Sequence, residues 1–166
     1  MQGQPLSPAG FGLSVHNAVS ALYSIAQGHT GNTVVVAGGR ASVAAALTEA
    51  AALLADGAPE VLVVYYEAPL PEAYARFEDE PACEYAWAWR VARPGYPGQD
   101  AAPALTLELR EGDTEGMVDP ETAGWPAGLA VLRHLLQSIA PQETTAPAPL
   151  LRHDRAGARW RWSAHA

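Results

Sequence analysis

The first 39 residues of this 166-residue chain contain no Asp, Glu, Lys or Arg. Ser, His, Asn, Gln, Gly and Pro interrupt the stretch, so it is not the run of about 18 apolar residues that a bilayer span requires. Charges are excluded from protein interiors and thinned at interface cores. A segment this long without one is therefore expected to be buried, either inside its own domain or against another subunit.

The remainder is that of a folded chain: hydrophobic residues make up 49% and charged residues 17%. The net charge is 10 − 18 = −8, and every basic residue is Arg. An acidic chain with scattered Arg does not hold a phosphate backbone, so nucleic acid is not an expected partner. Without Lys there is neither a P-loop lysine nor a Schiff-base lysine. Cys83 is the single cysteine, and His16, His29, His134, His153 and His165 are dispersed. No disulfide, metal site or cofactor is expected from that set. The start lacks a basic n-region, so the cytoplasm is the expected location.

Periodicity gives the elements. Val15, Ala18, Val19, Leu22 and Ile25 have helical spacing, with Ser14 as cap and Gly28 as stop. Thr33–Val36 reads as a short buried strand, Ala41–Asp56 as a helix ended by Gly57, and Glu60–Tyr66 as a second buried strand. Strand, helix and strand in succession predict a parallel βαβ unit. Residues 68–82 form an exposed Pro-rich acidic loop. Period-two patterns at Tyr85, Trp87, Trp89 and at Leu105, Leu107, Leu109 predict two strands joined as a hairpin through Arg93–Gly98. A loop is expected over 111–124. Residues 127–139 predict a helix with Leu129, Leu132, Leu135, Leu136 and Ile139 inward, and Pro126 in its first turn. A domain over 1–140 and a linker and tail over 141–166 complete the expected layout, with Trp160–Trp162 an edge strand or a packed tail.

Several separated motifs carry a family resemblance. Leu-Ser-Val-His-Asn-Ala (13–18), Ile-Ala-Gln-Gly (25–28), Gly-Asn-Thr-Val-Val-Val-Ala (31–37) and Val-Tyr-Tyr-Glu-Ala-Pro-Leu-Pro-Glu-Ala-Tyr (64–74) resemble the N-terminal half of β-ketoacyl synthases of the thiolase superfamily. They are most similar to the short, chain-length-factor-like subunits of aryl polyene clusters. The resemblance covers about residues 6–75, and the Arg-Trp-Arg-Trp of 159–162 fits it loosely. It implies an α/β, partial thiolase-like layered fold that lacks the first strands and helices of a full half.

The same resemblance sets Arg40 at or beside the position of the ketosynthase nucleophilic cysteine. Arg is cationic at any working pH and offers only donors, so it cannot act as a thiolate. The Gly/Thr-rich and Asn/Gly-rich histidine motifs of that family are also absent. No catalytic residue is therefore expected, and the implied role is a partner subunit of a separate catalytic ketosynthase. Through that enzyme it would meet an acyl carrier protein; a homodimer is the alternative if the chain is isolated. Interface positions implied are His16, Asn17, Leu22, Tyr23, Ile25, Val34, Val35 and Val36, with Leu22, Tyr23 and Ile25 able to limit acyl-chain length. His16 and Asn17 read as interface or core hydrogen-bonding residues rather than an acid–base pair.

The loop after the first strand leaves two alternatives open. Gly38, Gly39 and Arg40 at a helix N-terminus could meet a phosphate or another small ligand, although Gly-x-Gly-x-x-Gly is missing. Ser42 could serve a small α/β acyl hydrolase or transferase, but it lacks the Gly-x-Ser-x-Gly frame and fits helix capping better. Cys83 has no adjacent His or basic neighbour and reads as a non-catalytic thiol.

Overall fold

The computed structural model describes residues 7–98, 102–110, 122, 124–139, 149–153 and 159–165. The expected linker at 141–149 and the loop expected at 111–124 lie almost entirely outside them. The chain divides into two compact units, Met1–Val36 and Ala37–Ala166.

In the first unit the expected single helix is two. α1 runs from Pro8 to Ser14 and α2 from Ala18 to Gln27. Ser7 caps α1, its Oγ accepting from the Gly10 N–H at 3.2 Å, and Pro8 supplies a preset φ at the first position. Ser14 is consequently the last residue of α1, its hydroxyl donating back to the Phe11 carbonyl at 2.8 Å, and it does not cap α2. Gly28 ends α2 as expected, in the left-handed conformation at φ 61°. Residues 33–36 take no regular secondary structure and pair with no strand among the described residues. A run of three Val favours extended backbone, yet a strand exists only through a neighbour's ladder, and the described chain provides none for it.

The second unit holds the core. α3 (Ser42–Ala55) buries Val43, Ala44, Leu47, Ala50 and Leu54 along one stripe of an Ala-rich, strongly helix-forming sequence. β1 (Glu60–Glu67) and β2 (Tyr85–Ala92) form an antiparallel pair with Tyr65 opposite Trp87. β3 (Ala104–Arg110), β4 (Leu150–His153) and β5 (Arg159–His165) make a second antiparallel sheet in the order β3-β5-β4. No parallel pair occurs among the described residues, because the expected first strand of the βαβ unit does not form. The strands read at 85–92 and 104–110 are present, but each pairs elsewhere rather than with the other. Trp160–Trp162 lies in the central strand of its sheet, not at an edge.

α4 (Ala127–Ile139) has the expected bounds, and its inward face is the expected one in part: Leu135 is buried and Leu132 packs on the core. Ala127, Gly128, Ala130, Val131, His134 and Leu135 are buried, while Leu136 and Ile139 stay exposed. Size decides this face. A Cβ on Gly128 would lie 2.6 Å from Tyr65 Cε1 and from the Tyr85 hydroxyl, so only Gly lets α4 approach this closely. Its first N–H is held by Glu80, whose Oε2 accepts from Ala127 at 2.7 Å. Arg93, at the end of β2, donates to the Leu54 carbonyl at the C-terminus of α3, from Nε at 2.8 Å.

One core cluster joins these elements: Val43, Leu47, Val63, Tyr65, Trp87, Val131, Leu150 and Trp162, among others. Aromatic rings run along the inner face of the β1–β2 sheet, with Tyr65 stacked on Trp87 at 5.1 Å and Trp87 on Trp89 at 4.0 Å. The outer face is different. The apolar run of β1 suggests a strand buried on both sides, but Leu62, Val64 and Tyr66 are exposed by 64%, 58% and 54%. A Gly128→Ala chain should lose about 1–3 kcal/mol of stability through overpacking, measured by chemical denaturation. Gly124→Ala, which meets nothing within 4 Å, should be close to neutral in the same assay.

Candidate functional site

The loop Ala37–Ser42 gathers all four residues of the expected ligand loop. Gly38 leads into a single 3-10 turn, Gly39–Ala41, and α3 begins at Ser42. Gly39 sits at φ 54°, and a Cβ there would collide with the Asp79 carboxylate. Ser42 does not cap α3 with its side chain. Its Oγ accepts from the Gly38 N–H at 2.9 Å and donates to the Gly39 carbonyl at 2.7 Å, closing the turn on itself. The Ala41 N–H is given to the Gly38 carbonyl at 3.0 Å. Arg40 donates through Nε to the backbone carbonyl of Asp79 at 2.5 Å.

These bonds decide what the loop can do. A serine nucleophile needs a base within reach of its proton, whereas the Ser42 proton is committed to a carbonyl of its own turn. An anion site needs free donors at the helix N-terminus, whereas two of the N–H groups here and one Arg40 donor are already used. Arg40 works as a tether between two loops. Neither a thiol nor an imidazole belongs to the turn. Cys83 is a free, half-buried thiol elsewhere in the chain.

The expected interface residues lie in the first unit. His16 and Asn17 are not on a helix face; they form the exposed turn between α1 and α2, with Asn17 at the N-terminal boundary of α2 and making no side-chain cap bond. Leu22, Tyr23 and Ile25 on α2 are exposed by 52%, 60% and 77%. Phe11, Leu13, Val15 and Val19 are exposed as well, and so are Val34 and Val36, with Val35 half-buried. Ala18 is the one buried residue that α1 and α2 contain between them. A set of large apolar side chains in a segment without a charge is the composition of an interface core.

Sequence reasoning missed two features. The outer face of β1 went unread because Val-Leu-Val-Val-Tyr-Tyr carries no polar alternation to mark it. Asp79 went unread because its link to Arg40 spans 39 positions and leaves no local signal.

Among the described residues, no three His, Cys, Asp or Glu side chains gather as a metal-holding group, and no helix is long and apolar enough to cross a membrane. Tyr65 and Tyr85 are held protonated: burial, then the neighbouring Tyr85, drives the Tyr65 hydroxyl far above its ordinary value, and burial pushes Tyr85 up to about 12.

The model of the β-ketoacyl synthase N-terminal domain matches residues 1–163. The chain belongs to that family. A solved complex of the ketosynthase ApeO with its chain length factor ApeC, from Xenorhabdus doucetiae, contains a chain of similar fold. The TM-score is 0.66 at 23% sequence identity, covering 98% of this chain and 59% of that chain. This ketosynthase-like chain therefore has the mixed α/β fold of part of a thiolase-like ketosynthase and spans little more than half the length of that relative. A comparison with curated proteins finds no match.

His134 is buried, at 5% exposure, and its Nε2 meets no partner among the described residues. Burial alone lowers its pKa below the ordinary 6.5. The unfolded chain then binds more protons than the native one between those two values. Stability contributed by neutral His134 is complete above about pH 6.5 and is lost as the pH falls through the native pKa. Unfolding free energies measured across pH 7.5 to 5 should fall, and His134→Gln should flatten that slope.

Proposed function

We propose that this chain is a non-catalytic, chain-length-factor-type partner subunit that binds a catalytic ketosynthase in aryl polyene or related polyketide biosynthesis. The observation that carries the reading is the first unit. Its described helices bury one residue and expose Phe11, Leu13, Val19, Leu22, Tyr23 and Ile25, in a segment where no charge occurs before Arg40. Exposing that much apolar surface costs free energy unless a partner covers it.

The nucleophile position supports the same reading from the other side. The residue set there by the family resemblance is Arg40, and it is engaged in holding a loop. What this chain supplies is surface, and the thiolate and histidines of condensation belong to the partner. Val34–Val36, in no strand and unpaired among the described residues, would gain their ladder from a strand of that partner. Leu22, Tyr23 and Ile25 would then face the growing acyl chain and limit its length. The acyl carrier protein would be met through the ketosynthase, and the pair would work in the cytoplasm.

With the ketosynthase encoded nearest to it, the purified chain should form a complex that Ile25→Asp or Val35→Asp weakens by about tenfold or more, a loss of at least about 1.4 kcal/mol. Binding measured by calorimetry beside a thermal melt separates this from unfolding. Equal affinity for both variants and the parent chain would rule out this interface.

A further inference from the structure

The segment from Leu70 to Phe77 is exposed and yet held in place at several points. It turns through a 3-10 helix, Glu72–Phe77. The Leu70 N–H donates to Glu78 Oε1 at 3.0 Å, the Tyr74 N–H to the Pro71 carbonyl at 2.7 Å, and the Glu78 N–H to the Ala75 carbonyl at 3.0 Å. Arg40 closes the base of the loop on the Asp79 carbonyl. On this frame stand Leu70, Tyr74 and Phe77, exposed by 41%, 56% and 57%. Tyr74 stacks on Phe77 at 6.5 Å, and the Arg76 guanidinium lies over the Phe77 ring at 4.7 Å.

Loops that merely connect are polar and mobile. This one presents an apolar and aromatic knob whose backbone is already ordered, so little entropy remains to be lost when it is bound. Tyr, Phe and Arg are the residue types enriched at interface cores, with Tyr and Arg prominent among hot spots. The surrounding charge selects the occupant. Residues 67–84 hold six acids, Glu67, Glu72, Glu78, Asp79, Glu80 and Glu84, against the single base Arg76. A second copy of this chain, at net charge −8 and with the same acidic frame, would be repelled, as would a nucleic acid.

We infer that the Leu70–Tyr74–Phe77 knob is a second docking element, inserting into an apolar pocket rimmed by Lys or Arg on the partner ketosynthase. The inference rests on the partner-subunit reading and adds a site on the other unit of the chain. It also gives the Arg40 substitution a purpose: Arg40 is a positioning residue that holds the knob's base.

Three chains are compared with the parent against the ketosynthase encoded nearest: Tyr74→Ala with Phe77→Ala, Arg40→Ala, and Ile25→Asp. Affinities are measured at low and high NaCl, with thermal melts alongside. The knob double variant should bind about tenfold more weakly or worse with an unchanged melt, since both rings are exposed. Arg40→Ala should bind more weakly through a loosened knob. Affinity of the parent should fall with salt, and Glu72→Gln with Glu84→Gln should reduce that dependence. If Ile25→Asp weakens the complex while the knob double variant matches the parent, the knob is overturned and the partner-subunit reading stands. If the parent chain does not bind the ketosynthase at all, both are overturned.

Discussion

Tyr65 stands where α4, β1 and β2 meet. Its ring stacks between Tyr85 and Trp87, at 5.8 Å and 5.1 Å, and its edge lies against Gly128. Most of the second unit depends on that junction. The close approach of α4 requires a residue without a side chain at 128, which brings Ala130 and Val131 into the core beside Trp162 and leaves the larger Leu136 and Ile139 outside. The stack also fixes which side of the β1–β2 sheet is inner. Alternation along a strand then forces Leu62, Val64 and Tyr66 to the other side, where the described chain does not cover them.

A layered α/β fold is complete when each apolar sheet face has a cover. Here one face of the β1–β2 sheet is covered and the other is exposed among the described residues, and the chain spans 59% of the ketosynthase-complex chain it resembles in fold. The first unit has exposed apolar helices and a Val-rich segment that pairs with no strand among the described residues. Contact with a partner, as proposed above, would cover both. In the turn at Gly38–Ser42 the serine hydroxyl, two N–H groups and one Arg40 donor hold the turn and tether it to Asp79.

Much of the second unit was legible in the sequence. α3, α4 and the strands at 60–67 and 85–92 come from periodicity and from Gly57, Pro126 and the Trp alternation, all local signals. Pairing was not legible. Antiparallel partnership of β1 with β2, and of β3 with β5, joins segments far apart in the chain, and no local residue records it. The break between α1 and α2 carried a signal that periodicity overrode: Ser7-Pro8 is a strong helix start, placed one helix earlier than the apolar spacing suggested. The face of α4 was read from hydrophobicity when volume governed it. At the candidate site the four loop residues were legible as a group, since they are nearly contiguous. Their commitment to internal bonds, and the long-range tether from Arg40 to Asp79, depend on the fold.

The central claim is that the surfaces left uncovered belong to a partner. Native mass spectrometry of the chain co-expressed with its nearest encoded ketosynthase tests that claim most directly. The account predicts a one-to-one heterodimer that survives purification. A well-folded monomer that purifies away from the ketosynthase would contradict it.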